Sequence, residues 1–479
     1  MRSRSNARST LIHACLALLV LAAWALLSGP APVAAQTCPC TFYVNADPAV
    51  GNDGNNGLTP STAWLTLGRA NNAVMPGDTV RLTGTFTDQQ LAPGVSGTAS
   101  APIVFEANPF LSATLVGGSQ FAVVDLTSRS FITIRGLRVR DVLPAGYGHA
   151  IYMVQASNNI IEDNELLNVG AQGSDSGDTI WLANGSSGNQ ILRNTFTNAG
   201  HALMFVGGDQ PLDAEVGDNV IADNVFSNPW GTGVTLAHTA RRTIVERNQF
   251  QNMATAGGNT TSAAFQCISS YNIIRRNLFV GNATVGILLS AYVFNTNGQD
   301  SIGNQIYHNV IYGGTIGDTF YGGTPIWIFE KDGRVVQNNL VANNIFFRNA
   351  GSVQGGQPYQ IVIDHYNNPT AWPEGNLNGN EFRNNIILRQ PGAEAEPMVL
   401  RIRNASQGGN RSYTLAQFQA AHATATNNLA VDPLFTDETN RVFTLQQGSP
   451  AIDAGMVIAG DPEMYRGAAP DIGAYETNF

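Results

Sequence analysis

The chain has 479 residues, with 25 Lys and Arg against 35 Asp and Glu, 50 Gly and only 13% charged residues. A formal charge of −10 repels phosphate backbones and anionic membranes, so nucleic-acid and lipid-surface binding are excluded as main roles. In chain order, the first stretch sets Arg2, Arg4 and Arg8 before an apolar run from Leu11 to Leu27 and a small-residue end at Ala35. Residues 1–35 therefore read as a secretory signal cleaved after Ala35, which makes the mature protein extracellular or bound at the cell surface. An uncleaved membrane anchor is the alternative, although the run is short for a span. Cleavage removes three arginines and no acid, leaving 22 basic residues against 35 acidic ones, or −13. That balance also disfavours an acidic polysaccharide unless a cation bridges it. No later segment is apolar enough to cross a membrane. The mature cysteines are Cys38 and Cys40 around Pro39, and Cys267 alone. Three cannot build a disulfide framework; a stapled Cys-Pro-Cys terminus fits them better than a metal site.

Residues 36–79 read as a first strand, a polar loop and a short helix. The helix is expected over Ala63–Val74, with Leu65, Leu67 and Ala70 on one face and Ser61 or Thr62 as N-cap. The loop GNDGNNG, Gly51 to Gly57, offers Asp53 and Asn55 as oxygen ligands for calcium. An Asx-type turn needing no metal is the alternative.

From residue 80 to 425 one phrase keeps returning: NIIEDNELLN, NQILRNTFTN, NVIADNVFSN, TIVERNQFQN, NIIRRNLFVG, NQIYHNVIYG. Taking the internal Asn as marker, the series is Asn164, Asn194, Asn224, Asn248, Asn277, Asn309, Asn344 and Asn385, with Gly136 in that place one turn earlier. A period of about 30 residues signals a solenoid. Short runs rich in Val, Ile, Phe and Thr, broken every few residues by Gly, Asn, Asp and Ser, make its units strands and turns rather than helix pairs. Stacked coils place equivalent residues in columns about 4.8 Å apart. The recurring Asn is then a ladder rung: its amide bonds its counterpart and the turn backbone, and it tolerates a left-handed conformation.

These repeats, the segment FYVNADPAVGNDGNNGLTPSTAWLTLGRANNAVMPGDTVRLTGTF and the ending SPAIDAG…PDIGAYE resemble the right-handed parallel β-helix proteins, the pectate-lyase-like group. The expected fold is all-β: a single-stranded right-handed parallel β-helix with an N-terminal capping helix and a C-terminal cap over 426–479, tied down by Asp453, Asp471, Glu476 and Arg466. The resemblance implies a monomer that binds a polysaccharide or cell-surface glycan. It carries no specific active site over: neither the calcium-binding Asp cluster, nor the Asn and Glu-x-Glu arrangement of the alginate and chondroitin lyase branch, nor the aspartate trio of the polygalacturonases is present.

Three columns offer chemistry. GHAIYM, GDTIWL and GHALMF stack His149, Asp178 and His201, a set suited to metal binding or acid–base work, or else a structural ladder. Tyr152, Trp181, Met204, Thr235 and Trp327 are expected to face outward, where the rings can stack on sugars unless a loop covers them. Asn184, His238, Ser269, Glu330 and His365 form the third column, with Lys331 and Asp364 beside it. Lys331 is the only lysine, and Lys or Arg serves as base in β-helix lyases of this kind. In an elimination Glu330 or Asp364 would hold a cation such as calcium, and His238 or His365 would donate a proton. A surface ion pair of Lys331 with Glu330 or Asp332 is the alternative. The functional expectation is a secreted carbohydrate-binding β-helix protein, acting as a polysaccharide lyase or glycoside hydrolase, or serving as a noncatalytic adhesion protein.

Overall fold

The computed structural model describes residues 39–478 except 119, 144–145, 172–175, 209–212, 254–262, 295–296, 316–321, 351–358, 366–374 and 403–409. Residues 1–35, expected as a signal, and Cys38 lie outside the described residues, and the strands among the described residues lie in the unit Cys40–Phe479. No helix among the described residues is long and apolar enough to cross a membrane.

Each coil contributes three strands. Ile160–Glu162, Gln190–Leu192, Val220–Ala222 and their successors form parallel sheet A. Glu165–Val169, Thr195–Ala199 and Val225–Pro229 belong to parallel sheet B. Gly148–Val154, Gly177–Ala183, Ala202–Val206 and Thr232–Leu236 belong to sheet C, parallel throughout the coils. The chain stacks into a parallel β-helix because one-coil repeats let each strand's N–H and C=O groups find the next coil. Inside, Phe196, Phe226, Phe250 and Phe279 stack at 4.6, 5.0 and 4.5 Å between ring centroids. Each buried ring contributes roughly 1.5–3 kcal/mol through burial and about 0.5–1.5 kcal/mol more per aromatic pair.

The ladder forms as expected. Asn194 Nδ2 donates to Asn224 Oδ1 at 3.1 Å, and that oxygen also accepts from the Asn194 backbone N–H at 2.8 Å. Two details differ from the sequence reading. First, Leu137, not Gly136, occupies the ladder position in the coil before Asn164, since its N–H donates to Asn164 Oδ1 at 2.9 Å. Second, the left-handed residue is the one before each rung: Asp163, Arg193, Asp223, Arg247 and His308 have φ between 53° and 59°. Gly136, at φ 66°, stands in that place, which is why it looked equivalent. A second ladder, Asn159, Asn189, Asn219, Asn272, Asn304, Asn339 and Asn380, lines the corner from sheet C to sheet A. Thr243 interrupts it, taking the Asn272 oxygen with its backbone N–H. Cys267 is buried against this ladder, and burial pushes its thiol pKa up, so it is a poor nucleophile.

The first coil is sealed by Trp64 stacked on Phe42 and by the helix Leu67–Ala73, whose Leu67 and Ala70 are buried. The helix starts later than expected. Thr66, not Ser61 or Thr62, is its N-cap, because Pro60–Thr62 makes a separate 3₁₀ turn. Leu65, expected on the helix face, precedes the helix. Asp53 explains the offset: its carboxylate accepts Leu65 N–H, Thr66 N–H and the Thr66 hydroxyl at 2.8, 2.9 and 2.7 Å. Burial raises the Asp53 pKa, but these donors outweigh it and the net shift is downward. Asn55 donates its amide to Ala63 O at 3.0 Å. Asp53 thus ties the loop to the start of the helix, and Asn55 ties it to the segment before the helix.

The far end is closed by a helix absent from the sequence reading, Leu415–Ala421, with a Thr414/Gln417 capping box and buried Leu415 and Phe418. Asn428 is the last rung, accepting from Asn385 Nδ2 at 2.8 Å. Beyond it lies the C-terminal segment. It runs back along the outside of the coils as a strap. Glu438 accepts from Arg348 and Tyr312, Met456 and Asn343 exchange two bonds, and Asp461 pairs with Arg276 at 2.8 Å. Asp453, Asp471 and Glu476 bond within the strap itself, and Arg466 bonds Asn478.

His308 joins strap to coils: Nδ1–H donates to Gly473 O at 3.1 Å and Nε2 accepts from Asn343 at 3.1 Å. Burial, with the Arg276 charge, pulls its pKa down to about 4, and burial beside Arg241 and Arg334 does the same to His238. Both folded values lie below the unfolded one, so between pH ~6.5 and ~4 the unfolded chain binds more protons and stability falls on acidification. The loss approaches roughly 3 kcal/mol per histidine by pH ~4. Calorimetric melting temperature is expected to drop across this window, and less steeply in His308→Gln. An identical slope in that variant would contradict the assignment.

Candidate functional site

Strict alternation fails in sheet C. Ala150 and Ile151, Leu203 and Met204, and Ala264 and Phe265 are consecutive residues that are both in the core. Each strand therefore kinks at the same level, and the register skips the first residue of each pair, Ala150, Leu203 and Ala264. The residues on either side of the kink, three apart, then share the outer face: His149 with Tyr152, Asp178 with Trp181, Ala202 with Phe205, Thr232 with Thr235. Ala202, Phe205 and Trp181 form a separate outer apolar cluster, and the Thr232 and Thr235 hydroxyls are 2.7 Å apart.

The kink corrects the first two columns. Asp178 pairs with His149 but with Ala202 in the next coil, so His201 lies one residue earlier than a simple alignment places it. It still reaches the same carboxylate: His201 Nδ1–H donates to Asp178 Oδ1 at 2.7 Å. Tyr147, which the sequence did not single out, donates its hydroxyl to Asp178 Oδ2 at 3.1 Å and lies 2.8 Å from His201 Nδ1. The Ala202 N–H adds a third donor at 3.2 Å. Met204 points into the core, and Phe205 takes its place between Trp181 and Thr235.

The Asp178 side chain is 3% exposed and that of His201 27%, so the carboxylate is sheltered while the imidazole reaches the surface. With Nδ1–H held by Asp178, Nε2 carries the lone pair and can act as base or, once protonated, as acid. Rings surround the set. His149 stacks on Tyr152 at 5.2 Å, Trp181 is 5.2 Å from His149, and exposed Phe121 meets both His149 and Tyr152 edge-on. Trp181 Nε1 donates to Gly207 O at 3.1 Å, which fixes the ring. Buried His149 donates Nδ1 to Asp178 O, leaving Nε2 without a partner among the described residues. Such an orphan costs roughly 1–3 kcal/mol. Burial lowers the His149 pKa against the pull of Asp178. Burial, then the charges of Asp125 and Asp213, raises that of Tyr152.

The outer column continues upward but does not stay open. Leu288, Trp327, Val362 and Leu400 are in register and buried with Tyr359 in one apolar cluster, so Trp327 is covered rather than presented to a ligand. The third column is likewise internal. Glu330 and His365 have fully buried side chains, 2.9 Å apart, and Glu330 also accepts Val336 N–H at 2.7 Å. His238 is buried with both ring nitrogens unpartnered among the described residues, Ser269 donates to Leu236 O, and Asp364 is buried one coil above Phe329. Asn184 accepts Ala214 N–H. These side chains serve the corner from sheet C to sheet A, where turn N–H and C=O groups need partners. Lys331 is partly exposed in the turn that Arg334 N–H closes onto its carbonyl. It lies four coils, or about 19 Å at the strand spacing, beyond the coil of His201. Among the described residues no cluster of three or more His, Cys, Asp or Glu is arranged for a metal ion.

A family model described as "Right handed beta helix region" matches residues 122–301. No curated protein matches. Among solved structures, pectate lyase Pel9A matches with a TM-score of 0.53 at 17% identity, over 92% of this chain and 97% of that one. The complex of XylC with xylose gives 0.49 at 11%, over 72% and 75%. An alginate lyase from a Paenibacillus species gives 0.43 at 18%, over 63% and 96%. Through the matched coils, the three parallel sheets and the likeness of fold to Pel9A along nearly its whole length, the chain is a right-handed parallel β-helix.

Proposed function

We propose that this is a secreted carbohydrate-binding β-helix that cleaves a polysaccharide chain at the outer face of sheet C, around Tyr147, Asp178 and His201. The arrangement that carries the reading is an Asp-held imidazole reaching the surface among Tyr152, Trp181 and Phe121, which offer ring faces and edges to a sugar. Asp178 orients the His201 ring and balances its charge after proton uptake, while Nε2 takes a proton from the sugar in an elimination or from water in a hydrolysis. The fold's association with carbohydrate enzymes supports this only by analogy. The noncatalytic reading, a surface or adhesion protein, uses the same rings and draws on the absence of any family motif.

A screen of the mature chain on pectin, alginate, chondroitin and neutral glycans, with and without calcium, tests the proposal. Ultraviolet-absorbing unsaturated products identify a lyase, and new reducing ends without unsaturation a hydrolase. Binding with neither identifies an adhesin; neither cleavage nor binding overturns the proposal. Lys331→Ala is expected to leave the rate within about twofold, because its turn lies coils away. A loss in the ~10²–10⁴-fold range of a missing acid–base group would move the chemistry to that turn.

A further inference from the structure

The charges are unevenly placed around the solenoid. Between Asp141 and Ala240 the sequence carries eleven acids and one cation, Arg193. Arg193 faces out from the corner between sheets A and B, held by Glu162 at 2.6 Å and Asp163 at 2.9 Å. The paired arginines of the coils before it, Arg81, Arg135, Arg138 and Arg140, also lie on sheets A and B, Arg81 and Arg135 bonded to Glu106, Arg138 to Glu165 and Arg140 to Asp141. The parallel strands of sheet C hold one cationic residue, Arg401, fully buried near the far end. The charges that act on Tyr152 and His149 are those of Asp125, Asp178, Asp213 and His201. Asp125 sits directly beneath Tyr152, one coil down.

We propose that this surface takes an uncharged glycan and rejects uronic-acid polymers, so that the reaction is hydrolysis rather than elimination. The inference rests on the function proposed above and narrows it. Neutral pyranose rings present C–H faces to Trp181 and Tyr152 and hydroxyl donors to carboxylates, both of which this surface supplies. A uronate carboxylate would instead approach Asp125 beneath Tyr152, with no exposed guanidinium or ammonium on the parallel strands of this face among the described residues to neutralise it, at an expected cost of about tenfold or more in affinity per close pair. Elimination also needs the proton beside that carboxylate, which a neutral sugar lacks. Hydrolysis breaks the glycosidic C–O bond and adds water across it: hydroxide goes to the anomeric carbon and the proton to the leaving oxygen.

Affinity electrophoresis of the mature chain decides, in gels cast with xylan, galactan, mannan or β-glucan and in gels cast with polygalacturonate, alginate or chondroitin. Tyr152→Ala and Trp181→Ala are run beside it, with far-UV circular dichroism confirming that each folds. The expected result is retardation by at least one neutral polymer, unchanged in high salt and about tenfold weaker in either variant, with none by the uronates. Retardation by a uronate polymer that either variant weakens would overturn this inference and leave carbohydrate recognition standing. Retardation by no polymer, or retardation that neither variant alters, would overturn both.

Discussion

Asn224→Ala is expected to destabilise the protein by about 4 kcal/mol, since each buried polar group left unpaired costs roughly 1–3 kcal/mol. Three groups lose their partner at once. The Asn194 N–H and one Asn194 amide hydrogen lose the Asn224 oxygen, at 2.8 and 3.1 Å, and Ile191 O loses the Asn224 amide at 2.8 Å. The Asn224 backbone N–H keeps its bond to Asn248, so the register survives while the corner is left unsatisfied. Neighbouring coils share the loss because a solenoid's stability sits largely in nearest-neighbour contacts. Urea unfolding with hydrogen exchange resolved by coil measures it. A shift below about 1 kcal/mol would show that water or a rearranged turn replaces the rung.

His201→Ala is expected to lower the cleavage rate by about 10³-fold, within the range for loss of a positioned acid–base group. Glycan affinity should change by less than about threefold, because the rings of Tyr152 and Trp181 remain. Asp178→Asn should fall between that variant and the wild type. It keeps an acceptor near His201 Nδ1 but removes the charge that balances a protonated ring. Initial rates and binding constants measured separately on the cleaved polymer check both expectations. Equal losses in rate and affinity would mean that His201 shapes the surface without transferring protons.

The architecture was legible because solenoid register is written directly in sequence spacing. The second ladder stood in the same repeated phrase as its first letter, Asn159, Asn189 and Asn219, and passed for a generic polar position. The closing helix had a readable capping box at Thr414 and Gln417. The kink in sheet C was harder to read. A period of two is broken by one residue, and nothing in GHALMF marks which apolar residue is doubled, so Met204 and Phe205 exchanged faces and His201 was misaligned by one. Tyr147 belongs to the loop before its strand, where no column predicts it. The burial of Glu330 and His365 depends on how the corner turns. The strap's grip on Arg276, Asn343 and Arg348 links residues 90 to 185 positions apart, beyond any local pattern.

From Gly136 to Asn428 the corner between sheets A and B has one format: a single left-handed residue, then the ladder position. Coil length nevertheless varies, with successive rungs 24 to 43 residues apart. Between those rungs all insertion and deletion is therefore absorbed by the other two connections, the one leaving sheet C and the one leading into it, where the rings and the imidazole lie. Grafting foreign segments there should be tolerated, whereas lengthening the A–B corner by one residue would throw every later coil out of phase. The molecule separates a part that keeps time from a part free to diversify, and new binding surfaces can arise on it without the frame being redesigned.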